Sequence, residues 1–177
     1  MAILLAIVAF WVALLPRPAG SPRPSVDVAA SARYVAAGSG TTLYLPVLPA
    51  PWRPTSVRTT QTASIDGWHA GFTHDGDDRA YVAVEETAAT GSASDDGWIR
   101  AVVKEATERE TRTIAGRSWK LYSDGGDPER RSLVARVDDT IVVVIGLADL
   151  DVLEAAAASL QPVPPTAQQS PTQSPAS

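Results

Sequence analysis

The spacing of hydrophobic positions changes along this chain, and it is sharpest in Arg131–Leu160, RSLVARVDDTIVVVIGLADLDVLEAAAASL. Thr140–Leu147 is almost wholly β-branched and apolar, a pattern that a chain bears as a buried strand. With Asp138 and Asp139 as the turn of a hairpin, Val137 faces Thr140, Ala135 faces Val142 and Leu133 faces Val144. Side chains alternate along a strand, so Leu133, Ala135, Val137, Val142 and Val144 share one face. The other face carries Val134, Ile141, Val143 and Ile145, interrupted by Arg136. The second strand is apolar on both sides, which predicts a central strand beside a more peripheral partner. Gly146 loosens its end. Leu150, Leu153, Ala157 and Leu160 then recur at helical spacing behind Asp149 or Asp151 as cap. Pro162, Pro164 and Pro165 forbid continuation.

Upstream, Ser25 is placed to cap a helix to about Ala37, with Val28, Ala32 and Val35 along one side and Gly38-Ser39-Gly40 as its stop. Thr41–Leu45 reads as extended, and Pro46 to Pro54 as a stiff crossing around Trp52. Strands are predicted over 56–62, 68–73 and 79–87, the last two joined at Asp75-Gly76. Trp68, Ala70 and Phe72 mark an inward face. Asp95-Asp96 opens a helix to about Ala106, with Trp98, Ala101, Val102 and Glu105 on adjacent rows. Thr111–Ala115 and Ser118–Tyr122 are short strands around Gly116, and Asp124-Gly125-Gly126-Asp127-Pro128 is a turn. Short turns demand antiparallel pairing. The expected fold is α+β: an antiparallel sheet of about six to eight strands with three helices packed mainly on one face.

The two ends differ from this middle. Ala2–Leu15 is an unbroken apolar run spanning about 21 Å as a helix, short of a hydrocarbon core of ~30 Å. It reads as a membrane anchor or a signal-like segment, although the basic leader of a signal peptide is missing. Residues 16–24 form a Pro-rich linker, and 25–161 the domain. Residues 162–177 contain only Pro, Ser, Thr, Gln, Ala and Val, a composition expected to stay disordered.

Composition narrows the chemistry. There is no cysteine among the 177 residues, which removes disulfides, thiol nucleophiles and Cys-ligated zinc. Acidic residues number 20 against 15 basic ones, without the clustered basic stripe that nucleic acid requires. His69 and His74 are the only histidines; their spacing along a strand sends the rings to opposite faces, so the reading is one exposed strand His and one turn His. Asp75, Asp77 and Asp78 lack the remaining ligands of a calcium loop. Glu85-Glu86 reads as a solvated edge with the two carboxylates facing opposite ways. Gly38-Ser39-Gly40 lacks the preceding strand and third glycine of a dinucleotide loop, and Gly116-Arg117-Ser118 is not a nucleophile elbow. A hydrolase would require His69 or His74 in a pocket beside an acid. Trp52, Trp68, Trp98 and Trp119 are core residues or, with their apolar faces and polar tips, the walls of a ligand cleft.

Leu45-Pro46-Val47-Leu48-Pro49-Ala50-Pro51-Trp52-Arg53-Pro54-Thr55-Ser56, Trp68-His69-Ala70-Gly71-Phe72, Arg131-Ser132-Leu133-Val134 and the closing VVVIGLADLDVLEAAAASL resemble segments of the actinobacterial family catalogued as domain of unknown function 4245. The resemblance spans roughly 25–161. It implies a single-pass protein with an exported C-terminal domain, and a fold similar to the Mog1/PsbP group. The chain departs from the family at the leader, at Pro51 where Gly is usual, and at Phe72 and His74 where Tyr and Pro are common. The resulting expectation is a non-enzymatic, membrane-tethered domain outside the cytoplasmic membrane, serving as an envelope accessory or protein-interaction module. The alternative is a small-ligand or lipid carrier with an apolar Trp-lined cleft. The expected partners are the membrane and an envelope protein or apolar ligand; no cofactor or metal is implied.

Overall fold

The elements, in chain order, are α1 (Val28–Ser39), β1 (Leu43–Leu45), β2 (Trp52–Thr62), β3 (Ile65–His74), β4 (Asp77–Ala88), α2 (Ala93–Val103), β5 (Thr107–Ile114), β6 (Arg117–Ser123), β7 (Arg131–Val137), β8 (Thr140–Gly146), α3 (Leu150–Ala158) and β9 (Gln161–Val163). The computed structural model describes residues 26–104, 106–126 and 128–165. The expected anchor, the spacer and residues 166–177 of the tail lie outside the described residues. Among the described residues, no helix is long and apolar enough to cross a membrane.

All seven residues of β8 are buried, and the strand is the fourth of seven in an antiparallel sheet ordered β2-β3-β4-β8-β7-β6-β5. The hairpin register is the one its sequence demands: Leu133 opposite Val144, Ala135 opposite Val142 and Val137 opposite Thr140. Two meanders make the sheet. After β2–β3–β4 the chain crosses through α2 to the far edge, and β5–β6–β7–β8 returns until β8 pairs with β4.

On the front face, Val82, Val84, Leu133, Val142 and Val144 meet Leu153, Ala156 and Ala157 of α3. Beside them Trp68, Ala70 and Phe72 meet Val28, Ala32 and Ala36 of α1. On the back face, Ala83, Val134, Ile141, Val143 and Ile145 meet Trp98, Val102 and Val103 of α2. The helices thus divide two to one, mainly on the front as the sequence reading had it, with α2 alone covering the back. The second apolar face of β8 must also leave water, and each valine or isoleucine so covered contributes about 1.5–3 kcal/mol. Arg136, which interrupts that face, reaches Asp95 at 2.8 Å.

Several ends differ from expectation. Asp27, not Ser25, caps α1, its Oδ1 accepting from Ala30 N at 2.9 Å. Ser92 holds the cap position of α2, and Asp95 instead accepts from the backbone of Thr90 and Gly91. Burial alone would raise the Asp95 carboxyl, but hydrogen bonds from Thr90 and Gly91, with Arg136 beside it, hold it below its usual value. Strand β2 starts at Trp52 rather than Ser56 and tolerates Pro54 because it is an edge strand. Pro162 and Val163, assigned to the tail by composition, instead pair with β1.

Proline has no N–H to offer, and Tyr44, opposite Pro162, turns its own N–H to the Glu86 carboxyl, 3.0 and 2.9 Å from the two oxygens. Glu86 is therefore not on a solvated edge. It is fully buried, because β4 lies between β3 and β8. Burial pushes its carboxyl well above the ordinary range, against the opposing pull of the Tyr44 N–H. The Tyr44 hydroxyl donates to Asp138 at 2.5 Å, and burial together with that carboxylate raises the phenol to about 12.

A carboxyl whose folded pKa lies above its unfolded value stabilises fully at low pH and loses that contribution as pH rises toward the folded value. Glu86→Gln keeps the shape and the acceptor for Tyr44 N–H. It is expected to melt about 2–4 °C above the wild type near pH 8 and to lose most of that advantage near pH 4. Calorimetry at the two pH values checks this; equal shifts at both would contradict a buried neutral carboxyl.

Candidate functional site

Strand β3 sends Trp68, Ala70 and Phe72 to the front, which leaves His69, Gly71 and Thr73 for the back. In register, Arg58 lies opposite His69 and His69 opposite Glu85, while Ser56 lies opposite Gly71. Ser56 reaches this face because β2 carries one extra residue at Thr55, between the pairs of Pro54 and Ser56. A bulge of this kind re-aims the side chain that follows it.

The polar tips converge. Glu85 Oε1 lies 2.6 Å from His69 Nδ1, and Ser56 Oγ and Tyr81 Oη lie 3.2 and 3.3 Å from His69 Nε2. The carboxylate can only accept, so Nδ1 carries a ring proton toward Glu85, and in the neutral ring Nε2 is then the nitrogen that accepts from a hydroxyl. Gly71 makes the convergence possible. A Cβ there would run into Ser56 Oγ and stand 2.7 Å from Tyr81 Oη and 3.1 Å from His69 Nε2. Burial raises the Tyr81 phenol, Glu85 adding to it, while Arg58, Ser56 and Arg130 pull it down. Its hydroxyl remains a donor.

Above this floor, between the sheet and the C-terminal end of α2, lies a half-open cleft of about 510 Å³. Its apolar lining includes Ala83, Val102 and Ile145, and its charged lining is Arg58, Lys104, Arg130 and Glu85. Three cations against one carboxylate leave this cleft positive in a chain of formal charge -5. Thr60, also on its wall, has a buried hydroxyl with no partner among the described residues.

His69 is only 2% exposed, against the expectation of an exposed strand residue, because α2 covers the back face and β2 flanks it. Glu85 and Glu86 do face opposite ways, but neither stands on an open edge. The signals that could have pointed here are the second apolar face of β8, which requires a cover, and Gly71 inside a strand, which marks close approach. His74 faces forward, its ring edge-on to Trp52 with centroids 5.2 Å apart. Asp75 pairs with Arg53, Asp77 accepts from Arg79 N, and Asp124 accepts from Gly126 N and Arg130 N, all as turn-forming contacts.

The four tryptophans do not wall one cleft. Trp68 and Trp119 are buried on the front and Trp98 on the back, each packed into a different part of the core. Strand parity and the crossing of α2 separate them. Trp68 borders a front cavity of about 680 Å³ beside Leu43 and Glu86, and half-buried Trp52 borders a groove of about 400 Å³.

These features define an α+β domain with both sheet faces covered and a polar constellation under its crossover helix. The chain belongs to the family described as Protein of unknown function (DUF4245), which matches residues 1–160. No curated protein matches the chain.

Gly71→Ala tests the convergence. The methyl must displace Ser56 and Tyr81, and an expected loss of about 1–3 kcal/mol is read as a lower urea midpoint. Unchanged stability would show that the tips do not meet over this position.

Proposed function

We propose that this protein is a membrane-tethered, extracytoplasmic binding domain that holds a small amphipathic anion in the cleft behind the sheet. The observation that carries the reading is the positive cleft itself, with Arg58, Lys104 and Arg130 beside the apolar Ala83, Val102 and Ile145 in an acidic chain. The cations suit a carboxylate or phosphate head, the Ala83, Val102 and Ile145 surface suits a short chain, and the unpartnered Thr60 hydroxyl offers a hydrogen bond. The tether rests on the apolar run Ala2–Leu15 and the proline-rich spacer after it. This replaces the Trp-lined carrier with a charged cleft on the opposite side of the sheet from Trp68 and Trp119.

The test is titration of the purified full-length protein with decanoate, with decanol as the uncharged control. Decanoate binding is expected, weakening as salt screens the cleft. Arg58→Glu is expected to lower affinity at least about tenfold, equivalent to ~1.4 kcal/mol. Equal binding of acid and alcohol, or indifference to Arg58→Glu, would sink the reading.

A second reading, an envelope accessory acting through another protein, is supported by the front groove, where Leu45, Leu48, Trp52 and Phe72 surround Val47, itself 55% exposed. Val47→Asp separates the two, since it leaves decanoate binding unchanged if the back cleft is the site.

A further inference from the structure

We propose that Ser56 is the nucleophile of an ester-hydrolysing site, with His69 as its general base and Glu85 as the residue that positions the base. The substrate class is a carboxylic ester bearing an anionic group. The inference rests on the positive cleft for its substrate, but not for its chemistry. It departs from the expectation of a non-enzymatic domain, which rested on the lack of a catalytic motif and on having two histidines alone for a triad.

The geometry meets each requirement of the chemistry in turn. A base must lie within reach of the nucleophile's proton, and Ser56 Oγ to His69 Nε2 is 3.2 Å, a separation usual before substrate is bound. The base must present the right nitrogen, and Glu85 at 2.6 Å fixes the ring proton on Nδ1. The three side chains come from three neighbouring strands, aligned by the Thr55 bulge and given room by Gly71. A histidine buried for packing alone needs neither device. Ser56 is part-exposed on an edge strand and adjoins the cleft through His69 and Tyr81, which line it, so an ester in the cleft can reach it.

The reaction balances with water as the only co-reactant. Ser56 Oγ forms a bond to the ester carbonyl carbon as its proton passes to His69 Nε2. The Tyr81 hydroxyl, over the same glycine, is the donor nearest the developing oxyanion, and Arg58 on the cleft wall adds positive charge to the site. The carbon–oxygen bond to the alcohol breaks, and the alcohol leaves with the proton held by His69. Water then gives a proton to the same nitrogen and attacks the acyl carbon; the carbon–Oγ bond breaks, Ser56 Oγ takes that proton back from His69, and the acid leaves.

An alkyl fluorophosphonate, which phosphonylates activated serines, is the direct probe on the purified full-length protein. Mass spectrometry of peptides is expected to place the adduct on Ser56, and Ser56→Ala to lose it. Glu85→Gln is expected to slow labelling about a hundredfold with an unchanged melting point, and Glu85→Asp to restore part of the rate. Turnover of an anionic p-nitrophenyl hemisuccinate should be lost in step with labelling. A folded protein with no adduct on Ser56, or an adduct whose rate ignores Glu85→Gln, overturns the proposal. Decanoate binding is measured separately on unlabelled protein, so a cleft that binds without labelling sinks this inference alone.

Discussion

The structure depends on one strand that cannot show either side to water. β8 is apolar at every position except Thr140 and Gly146, and all of it is buried. A strand of that kind has to lie in mid-sheet with a layer on each face, and both layers follow. The α3 helix, continuous with β8 through Leu147-Ala148-Asp149, folds back on the front. The back is closed by α2, the crossover that carries the chain from β4 to the far edge. Without that crossing, His69, Tyr81 and Glu85 would be surface groups in water.

The polar residues inside this sandwich are there on defined terms. Asp95 is buried, yet three donors and Arg136 hold it charged, and it ties α2 to β7 across the apolar layer. Glu86 is buried with only the Tyr44 amide for company, so it is favoured as the neutral acid, and through that amide it clasps the β1–β9 pair to the sheet. His69 differs from both, because its second nitrogen faces the Ser56 and Tyr81 hydroxyls beside a cleft that His69 and Tyr81 line. Unequal use of donors and acceptors separates the candidate site from the scaffold.

Much of the scaffold was legible in the sequence. The Asp138-Asp139 turn fixed a hairpin register in which alternation alone sorted Leu133, Ala135 and Val137 from Val134, and β8 declared its central place by lacking a polar side. The Asp75-Gly76 turn and the inward Trp68, Ala70 and Phe72 were equally readable. The site was not. Alternation assigned His69 and Glu85 to a face without saying that α2 would cover it, and no local pattern shows that residue 56 rather than 55 meets residue 71. That depends on a bulge, a property of two strands together. Pro162 and Val163 were misplaced for a related reason: composition marks them as tail, and only the pairing with Leu43–Leu45 gives them a place.

On this geometry His69 is a poised acceptor, its proton on the Glu85 side and its other nitrogen turned to Ser56. Long-range nitrogen–proton NMR of the imidazole ring reads this directly. A ring protonated at Nδ1 alone, with Nε2 bare and accepting, is the expected result. A proton on Nε2 would make His69 a donor to Ser56, remove the base from the cleft, and contradict it.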